Sequence, residues 1–267
     1  MIKTNFYQIN KVVKIEKLNH SDVLSLAFEK KAILDDNKDL LIKFINHVKK
    51  FEFIPSQLYQ DVFASFVVGN RFDKTFLEFG ATNGLSLSNS WFLEAFLGWK
   101  GVLAEPDYKW FSDLKKNRPN TEIVTECVWS KSGEKLNFWS ADIGELSTIN
   151  DFKDNGIEFY KRNVAERKKA GKNITVNTIS LNDLIEKKFE SKCPSYISID
   201  TEGSEVEILK NFNFDEHRPI VLTIEHSFTI NELEIDKLMY ANNYLRIFKN
   251  LTLFDAWYVK KKVLDSI

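Results

Sequence analysis

Cysteine and histidine are scarce in this chain of 267 residues, which has two of the first and four of the second. Cys127 and Cys193 stand far apart, and no Cys or His spacing matches a zinc site. We therefore interpret both cysteines as buried free thiols, as expected in a reducing compartment.

Excess charge and long apolar runs are also lacking. The formal net charge is −1, so the basic excess that binding to nucleic-acid phosphates requires is missing. No apolar run approaches a membrane span, and residues 1–17 lack the core of a signal peptide. We expect a cytoplasmic protein without nucleic-acid or membrane partners. A homodimer is compatible with the sequence, which leaves the oligomeric state open.

Hydrophobic residues are plentiful. They form 43% of the chain and include 22 Phe and 6 Trp, enough for a large core. Apolar residues recur at helical spacing over 22–31, 39–50 and 57–68. This pattern predicts a helical extension over residues 1–72.

Residues 73–267 alternate between short apolar runs and helical patterns, which predicts an α/β domain with a parallel sheet and right-handed crossovers. Its third strand is predicted over 121–129. The final runs, 244–248 and 253–260, have no helix between them and predict an antiparallel pair. Residues 140–172 are irregular, and we expect a lid or substrate loop with one short helix, or a disordered insertion.

The segment FLEFGATNG at 76–84 organises the domain. A buried strand leads into two glycines, which can adopt positive φ and let a ligand lie against the backbone. The segment lacks the Gly-x-Gly start of dinucleotide-binding loops and the Gly-Lys-Ser/Thr ending of phosphate-binding loops. By itself it fits a plain turn equally well.

An acid at the end of the next strand favours a binding site. Glu105 ends the apolar run 101–105, and Pro106 then stops the strand. An acid at the tip of the second strand is placed to accept both hydroxyls of a ribose. Glycine loop and acid together describe an adenosine pocket better than a turn.

Four segments together resemble the FkbM-type family of S-adenosylmethionine-dependent methyltransferases. They are SQLYQD at 56–61, FLEFGATNG at 76–84, LGWKGVLAEP at 97–106 with NRP at 117–119, and YISIDTEGSEVEIL at 196–209. The sequence departs from the usual family pattern at 81–83 and at Thr201, and residues 1–50 are not covered.

The resemblance implies a Rossmann-like class I methyltransferase fold. Its sheet would have seven mostly parallel strands with the last one antiparallel, and helices on both faces. The resemblance also implies S-adenosylmethionine as cofactor and methyl transfer to a hydroxyl of a sugar, a glycan or a related small metabolite.

The implied cofactor site collects residues from strand ends and the loops beside them. Glu78 would lie near the methionine ammonium, or else be a buried strand acid bonded to the backbone. Glu105 would accept the ribose hydroxyls, or else cap the following helix. The predicted cofactor-binding residues are Gln57, Asp61, Glu78, Gly80, Asn83, Gly84, Glu105, Pro106, Glu126 and Cys127.

Two pairs in this set have weaker support. Gln57 and Asp61 would share one face of a helix over 57–68, and a polar helix face explains them almost as well. Glu126 and Cys127 are placed near the adenine by their position alone.

Catalysis is assigned to the ends of later strands. Asp200 is the first choice for general base or metal ligand, because a hydroxyl nucleophile must lose its proton. Glu225 and His226 are the second group, with a structural histidine as the equal alternative for His226. Asp200 and Glu225 are the proposed ligands of a divalent metal such as Mg²⁺.

Two other functions stay open at this stage. A nucleotide-binding oxidoreductase could use a similar sheet, although the Gly-x-Gly-x-x-Gly loop is missing. A non-catalytic cofactor-binding interaction module is the other, although acids at three strand tips would then lack a purpose.

Overall fold

A computed structural model describes residues 37–52, 54–149 and 158–267, and the side chains within these ranges except those of residues 158–160. The predicted helix over 22–31 therefore lies outside the described residues. The helices are α1 (Lys38–Val48), α2 (Gln60–Val68), α3 (Trp91–Leu97), α4 (Phe111–Asn117), α5 (Glu158–Lys169), α6 (Leu181–Phe189), α7 (Glu205–Lys210), α8 (Asn231–Ala241) and α9 (Lys261–Leu264).

Eleven strands are present in the described residues. They are β1 (Thr75–Phe79), β2 (Lys100–Ala104), β3 (Glu122–Val124), β4 (Cys127–Trp129), β5 (Lys135–Ala141), β6 (Thr148–Ile149), β7 (Gly171–Ser180), β8 (Tyr196–Ile199), β9 (Val221–Glu225), β10 (Tyr244–Ile247) and β11 (Asp255–Lys260). Two short 3₁₀ turns, Tyr108–Trp110 and Gly144–Leu146, complete the elements.

The main sheet has seven strands in the order β10-β11-β9-β8-β1-β2-β3. Strands β3, β2, β1, β8 and β9 pair in parallel, and β11 pairs antiparallel with both β9 and β10. The strand order reverses between β1 and β8, and a crevice outside the carboxyl ends at such a point is where open α/β sheets bind ligands. This topology confirms the predicted Rossmann-like methyltransferase fold, including the antiparallel last strand.

Alternation along each strand divides the core between the two faces of the sheet. In β1, Phe76 packs with helices α1 to α4 on one face, while Leu77 and Phe79 pack with α6 to α8 on the other. Tyr196 and Ile197 divide in the same way in β8. Because both faces are covered, these central strands are almost wholly apolar.

Helices α1 and α2 join this core through aromatic rings. The Phe63 ring stacks on Trp257 of β11 with centroids 4.5 Å apart, and Phe44 meets Phe63 edge-on at 5.8 Å. Such ring pairs add to the free energy of burial. None of the helices among the described residues has the length and apolarity needed to span a membrane.

The structure corrects the predicted third strand over 121–129. The chain leaves the main sheet after Val124 and enters a second sheet at Cys127. This second sheet has four strands in the order β4-β7-β5-β6, and β5 and β7 pair antiparallel along most of their length. This change of sheet shapes the site, because the second sheet brings β5 and β6 beside the carboxyl edge of the main sheet.

Candidate active site

A cavity of about 750 Å³ lies at the carboxyl ends of β1, β2, β8 and β9. Its volume falls within the range of about 300–1,000 Å³ that is usual for small-molecule sites. Of the predicted site residues, it is lined by Gln57, Glu78, Gly80, Glu105, Pro106, Cys127, Asp200 and Glu225. The structure therefore brings these eight together and leaves Asp61, Asn83, Gly84, Glu126 and His226 outside the lining.

Gly80 is required where β1 and β8 approach each other most closely. Its φ is +82°, and a Cβ there would lie 1.8 Å from the backbone oxygen of Asp200. The Asp200 N–H donates to the Phe79 carbonyl at 3.3 Å. A residue without a side chain at 80 thus lets Asp200 reach the floor of the cavity.

Glu78 holds the segment that follows the glycine loop. Its carboxylate accepts the Asn89 N–H at 2.8 Å and the Ser88 hydroxyl at 2.9 Å, and it also accepts the Ser90 hydroxyl. Glu78 is 4% exposed. These bonds fix residues 88–90 ahead of α3, which begins at Trp91.

Arg118 stabilises the same loop from outside the cavity. Its buried guanidinium pairs with Glu94 and donates to the Gly84 carbonyl at 3.1 Å. A Cβ at Gly84, where φ is +72°, would meet Arg118 and Leu114. Asn83 closes the turn by accepting the Leu85 N–H at 2.9 Å. Gly84 and Asn83 therefore shape the loop from outside the cavity.

Glu105 ends β2 inside the cavity. One carboxylate oxygen accepts the Thr82 N–H and the other accepts the Asp107 N–H, each at 2.8 Å. Burial raises the pKa of Glu105 to about 7, although both N–H groups favour the charged form. Since each oxygen has a second lone pair, the carboxylate can still accept two further hydroxyl hydrogens.

Gln57 and Asp61 do not share a helix face, because α2 starts only at Gln60, after Tyr59 at φ +71°. Gln57 lines the cavity. Asp61 is fully buried behind it, where it accepts the Ser56 hydroxyl and the Val62 N–H. Burial raises its pKa to about 7.

The two residues predicted to lie near the adenine, Glu126 and Cys127, face different parts of the structure. Cys127 lines the cavity with Pro106, and burial raises its thiol pKa to about 12. Glu126 faces a separate hollow beside Thr178 and Lys187. The reason is that the strand is interrupted at 125–126, so that successive side chains face different sheets.

Three carboxylates meet at the opposite wall of the cavity. Asp200, Glu202 and Glu225 each present one oxygen, and these oxygens lie within 4.8 Å of one another. Asp200 follows β8 and Glu225 ends β9, so neighbouring parallel strands bring them together. Glu202 joins them because φ of +58° at this residue turns the chain back.

Burial and mutual repulsion keep protons on this cluster. Burial, followed by the charge of Glu202, raises the pKa of Asp200 well above its usual range. Burial and the charge of Asp200 do the same for Glu225. The oxygens of the two side chains lie within 4.8 Å of each other, so two ionised carboxylates would repel there. The pair therefore holds at least one proton, as carboxylate dyads do.

The segment 140–172 covers this wall. Arg167 of α5, fully buried, pairs with Glu202, and the Thr148 hydroxyl donates to the carbonyls of Thr201 and Glu202 at 3.1 Å. Burial and the Glu225 charge raise the pKa of Glu202 to about 8, against the opposing effect of Arg167. Residues from the segment line the cavity at 143–147, 149, 162, 163 and 166.

His226 lies next to the cluster but faces the interior. It is 2% exposed, with Nε2 3.0 Å from an Arg246 nitrogen and Nδ1 3.1 Å from the Phe228 N–H. Burial and the Arg246 charge lower its pKa to about 4. This neutral ring holds the turn after β9 from outside the cavity lining.

A family model for the methyltransferase FkbM domain matches residues 78–252, more than half of the chain. The chain belongs to the FkbM methyltransferase family. The matched range includes Glu78, Glu105, Asp200 and Glu225 and excludes Gln57. No curated protein matches the sequence.

Several solved structures of low sequence identity are similar to this chain. The FkbM methyltransferase from Methylobacillus flagellatus is 12% identical, with a TM-score of 0.42 over 84% of this chain and 60% of its own. The chain thus spans 60% of that protein's length. An O-methyltransferase from Bacillus cereus in complex with SAH is 14% identical, with a TM-score of 0.40 over 97% of this chain and 100% of its own.

Glu202 of the cavity and its buried partner Arg167 were absent from the predicted site residues. Glu202 stands two positions after Asp200 within the segment 196–209, so its spacing offered a signal. Arg167 offered none, because it belongs to a charged run and its partner Glu202 lies 35 positions further along the chain.

Proposed function

We propose that this protein is an S-adenosylmethionine-dependent O-methyltransferase that acts on a hydroxyl of a sugar, a glycan or a related small metabolite. One observation carries the proposal. Glu105 and the acids Asp200, Glu202 and Glu225 line a single cavity at the carboxyl edge of the sheet. An adenosine-binding acid and a proton-accepting cluster are what such a reaction needs on opposite sides of the methyl group.

The residues present fit the cofactor. Glu105 keeps acceptor capacity for a ribose diol, because its two backbone donors occupy only one lone pair on each oxygen. Gly80 leaves the backbone open beside it, and Cys127 with Val128 gives the cavity an apolar wall on which an adenine ring could lie. Gln57 lies at the same cavity and is assigned to the methionine end.

The cofactor supplies an electrophilic methyl group on sulfur, and the protein aligns the acceptor and receives its proton. Bound S-adenosylmethionine would supply the methyl carbon and keep the electron pair of the broken carbon–sulfur bond, so that the protein has to receive only the proton of the acceptor hydroxyl. The hydroxyl proton passes to the ionised member of the Asp200–Glu225 pair. Because burial raises both pKa values, this carboxylate is a stronger base than one in water.

The same three carboxylates also match the oxygen donors that Mg²⁺ takes. A divalent ion held by Asp200 and Glu225 would displace the shared proton and lower the pKa of a bound hydroxyl. This metal-assisted route is part of the proposal, and a chelator distinguishes it from the direct proton transfer.

The proposed acceptor side is the wall built by residues 140–172, acting as a lid. Polar side chains of Glu145 and Asn163 face the cavity there, while Phe228 and Phe254 line it from the loops after β9 and before β11. Polar edges and an apolar face suit a sugar ring, which offers both hydroxyls and C–H faces.

Titration calorimetry tests cofactor binding. We expect S-adenosylmethionine to bind and nicotinamide cofactors not to bind. Glu105→Gln replaces one acceptor oxygen by a donor. A hydrogen bond to a charged group contributes about 1.5–3 kcal/mol, so its loss should weaken cofactor binding roughly ten- to a hundredfold. Glu122→Gln, an exposed acid on the next strand, is the matched control and should bind like the parent chain. Unchanged affinity in folded Glu105→Gln would refute the ribose assignment.

A methyl-release assay on a panel of glycans and small sugars tests the reaction. Asp200→Asn should bind the cofactor but lose most turnover, whereas Glu122→Gln should retain it. Activity that survives a chelator excludes the metal-assisted route, and activity restored only by Mg²⁺ supports it. Full turnover in Asp200→Asn would remove Asp200 from the chemistry.

A further inference from the structure

A second cluster of potential metal ligands lies away from the cavity. Glu186, Glu216 and His217 each present one ligand atom, and the three atoms lie within 4.8 Å of one another. Glu186 belongs to α6, while Glu216 and His217 lie in the loop between α7 and β9. This loop leads into the amino-terminal end of β9, at the opposite edge of the sheet from Glu225.

His217 is the observation that separates this cluster from an ordinary group of surface acids. The side chain is 0% exposed, and neither ring nitrogen has a hydrogen-bond partner among the described residues. Its ring stacks on Phe212, with centroids 5.8 Å apart and planes 16° from parallel. A buried polar group without a partner costs free energy, so this ring requires a bonding partner at the nitrogen that faces the two carboxylates.

We propose that Glu186, Glu216 and His217 bind a zinc ion. One imidazole nitrogen and two carboxylates match zinc, which accepts both ligand types and completes its tetrahedron with water. Metal–ligand bonds of about 2.0–2.2 Å place neighbouring ligand atoms about 3.3–3.6 Å apart. Both glutamates are exposed, so rotation of their side chains closes the remaining gap without moving the backbone.

The loop is already built to present these ligands. The Asn213 side-chain oxygen accepts the Glu216 N–H at 3.3 Å, and its amide donates to a Glu216 carboxylate oxygen at 3.1 Å. Asn182 of α6 accepts the Asn213 N–H at 2.9 Å and so ties the loop to the helix that carries Glu186. Zinc would complete this connection between α6 and the chain entering β9.

Calorimetric titration of chelator-treated full-length protein with zinc chloride tests the site. We expect one zinc ion to bind at this site and to raise the melting temperature, and an excess of Mg²⁺ not to displace it. Glu186→Gln should weaken zinc binding at least tenfold, and the matched exposed variant Glu52→Gln should leave it unchanged. His217→Phe preserves the stacking and should abolish binding.

A double variant, Glu186→Gln with Glu216→Gln, keeps the test decisive if His217→Phe does not fold. Zinc binding that persists in the double variant places the ion elsewhere, such as at Asp200 and Glu225, and overturns the proposal. Absence of any zinc binding by the parent chain also overturns it, since a water molecule then satisfies His217.

Discussion

Replacing Gly80 by alanine tests how the sheet positions the wall of the cavity that carries Asp200. Two costs are expected. A positive φ strains an L-residue by about 1–2 kcal/mol, and the new Cβ would lie 1.8 Å from the Asp200 carbonyl oxygen. Ordinary contact begins near 3.4 Å, so β1 and the end of β8 must separate by about 1.6 Å. Overpacking of this kind costs about 1–3 kcal/mol.

Gly133→Ala is the control that carries the backbone strain of a positive φ without a collision of the new Cβ. Gly133 has a φ of +79°, close to the +82° of Gly80, but a Cβ there meets nothing within 4 Å. Urea unfolding should therefore show Gly80→Ala to be less stable than Gly133→Ala by about 1–3 kcal/mol. Calorimetry should show loss of S-adenosylmethionine binding in Gly80→Ala alone.

Unfolding of the two variants at the same urea concentration would show that the Cβ at residue 80 does not collide with Asp200, and the proposed positioning of Asp200 is then refuted. It is also refuted if Gly80→Ala binds the cofactor as the parent chain does, because the position of Asp200 would then not depend on a bare backbone at residue 80.

Two further predictions concern the acid cluster. The pKa values of Asp200 and Glu225 in the folded protein lie well above their unfolded values, and the pKa of Glu202 is raised to about 8. The folded protein therefore binds more protons than the unfolded chain does. The free energy of unfolding should therefore fall as pH rises from 5.5 to 8.5, with a smaller slope in Asp200→Asn, and urea titrations showing a rise would contradict this. Arg167→Met removes the buried partner of Glu202 and should cost about 3–5 kcal/mol. Adding Glu202→Gln should recover much of that loss, and a double variant no more stable than Arg167→Met would argue against the pairing.

Local sequence patterns were sufficient for the central strands. The buried strand predicted ahead of the two glycines became β1, because a strand covered on both faces is mostly apolar and a glycine is needed at the close approach to Asp200. Ser180 caps α6, because its side chain accepts the Asp183 N–H at 3.1 Å. Such bonds join residues a few positions apart, so they can be read from the chain itself.

Contacts between distant residues, and the backbone turns that arrange them, could not be predicted from the sequence. The split of 121–129 between two sheets depends on the pairing of Cys127 with Thr178, a partner that no local pattern identifies. Likewise, a helix pattern over 57–68 could not reveal the positive φ of Tyr59, which separates Gln57 from Asp61.

By itself, the sequence determined the alternation of strands and helices, the acids at the strand tips and, through four short segments, the family. Only the tertiary structure decided that Glu202 joins Asp200 and Glu225, that His226 turns inward, and that His217 meets two glutamates. The physical reason is that periodicity reports which face of an element is buried. The separation between two side chains depends instead on the packing of elements that are distant in the chain.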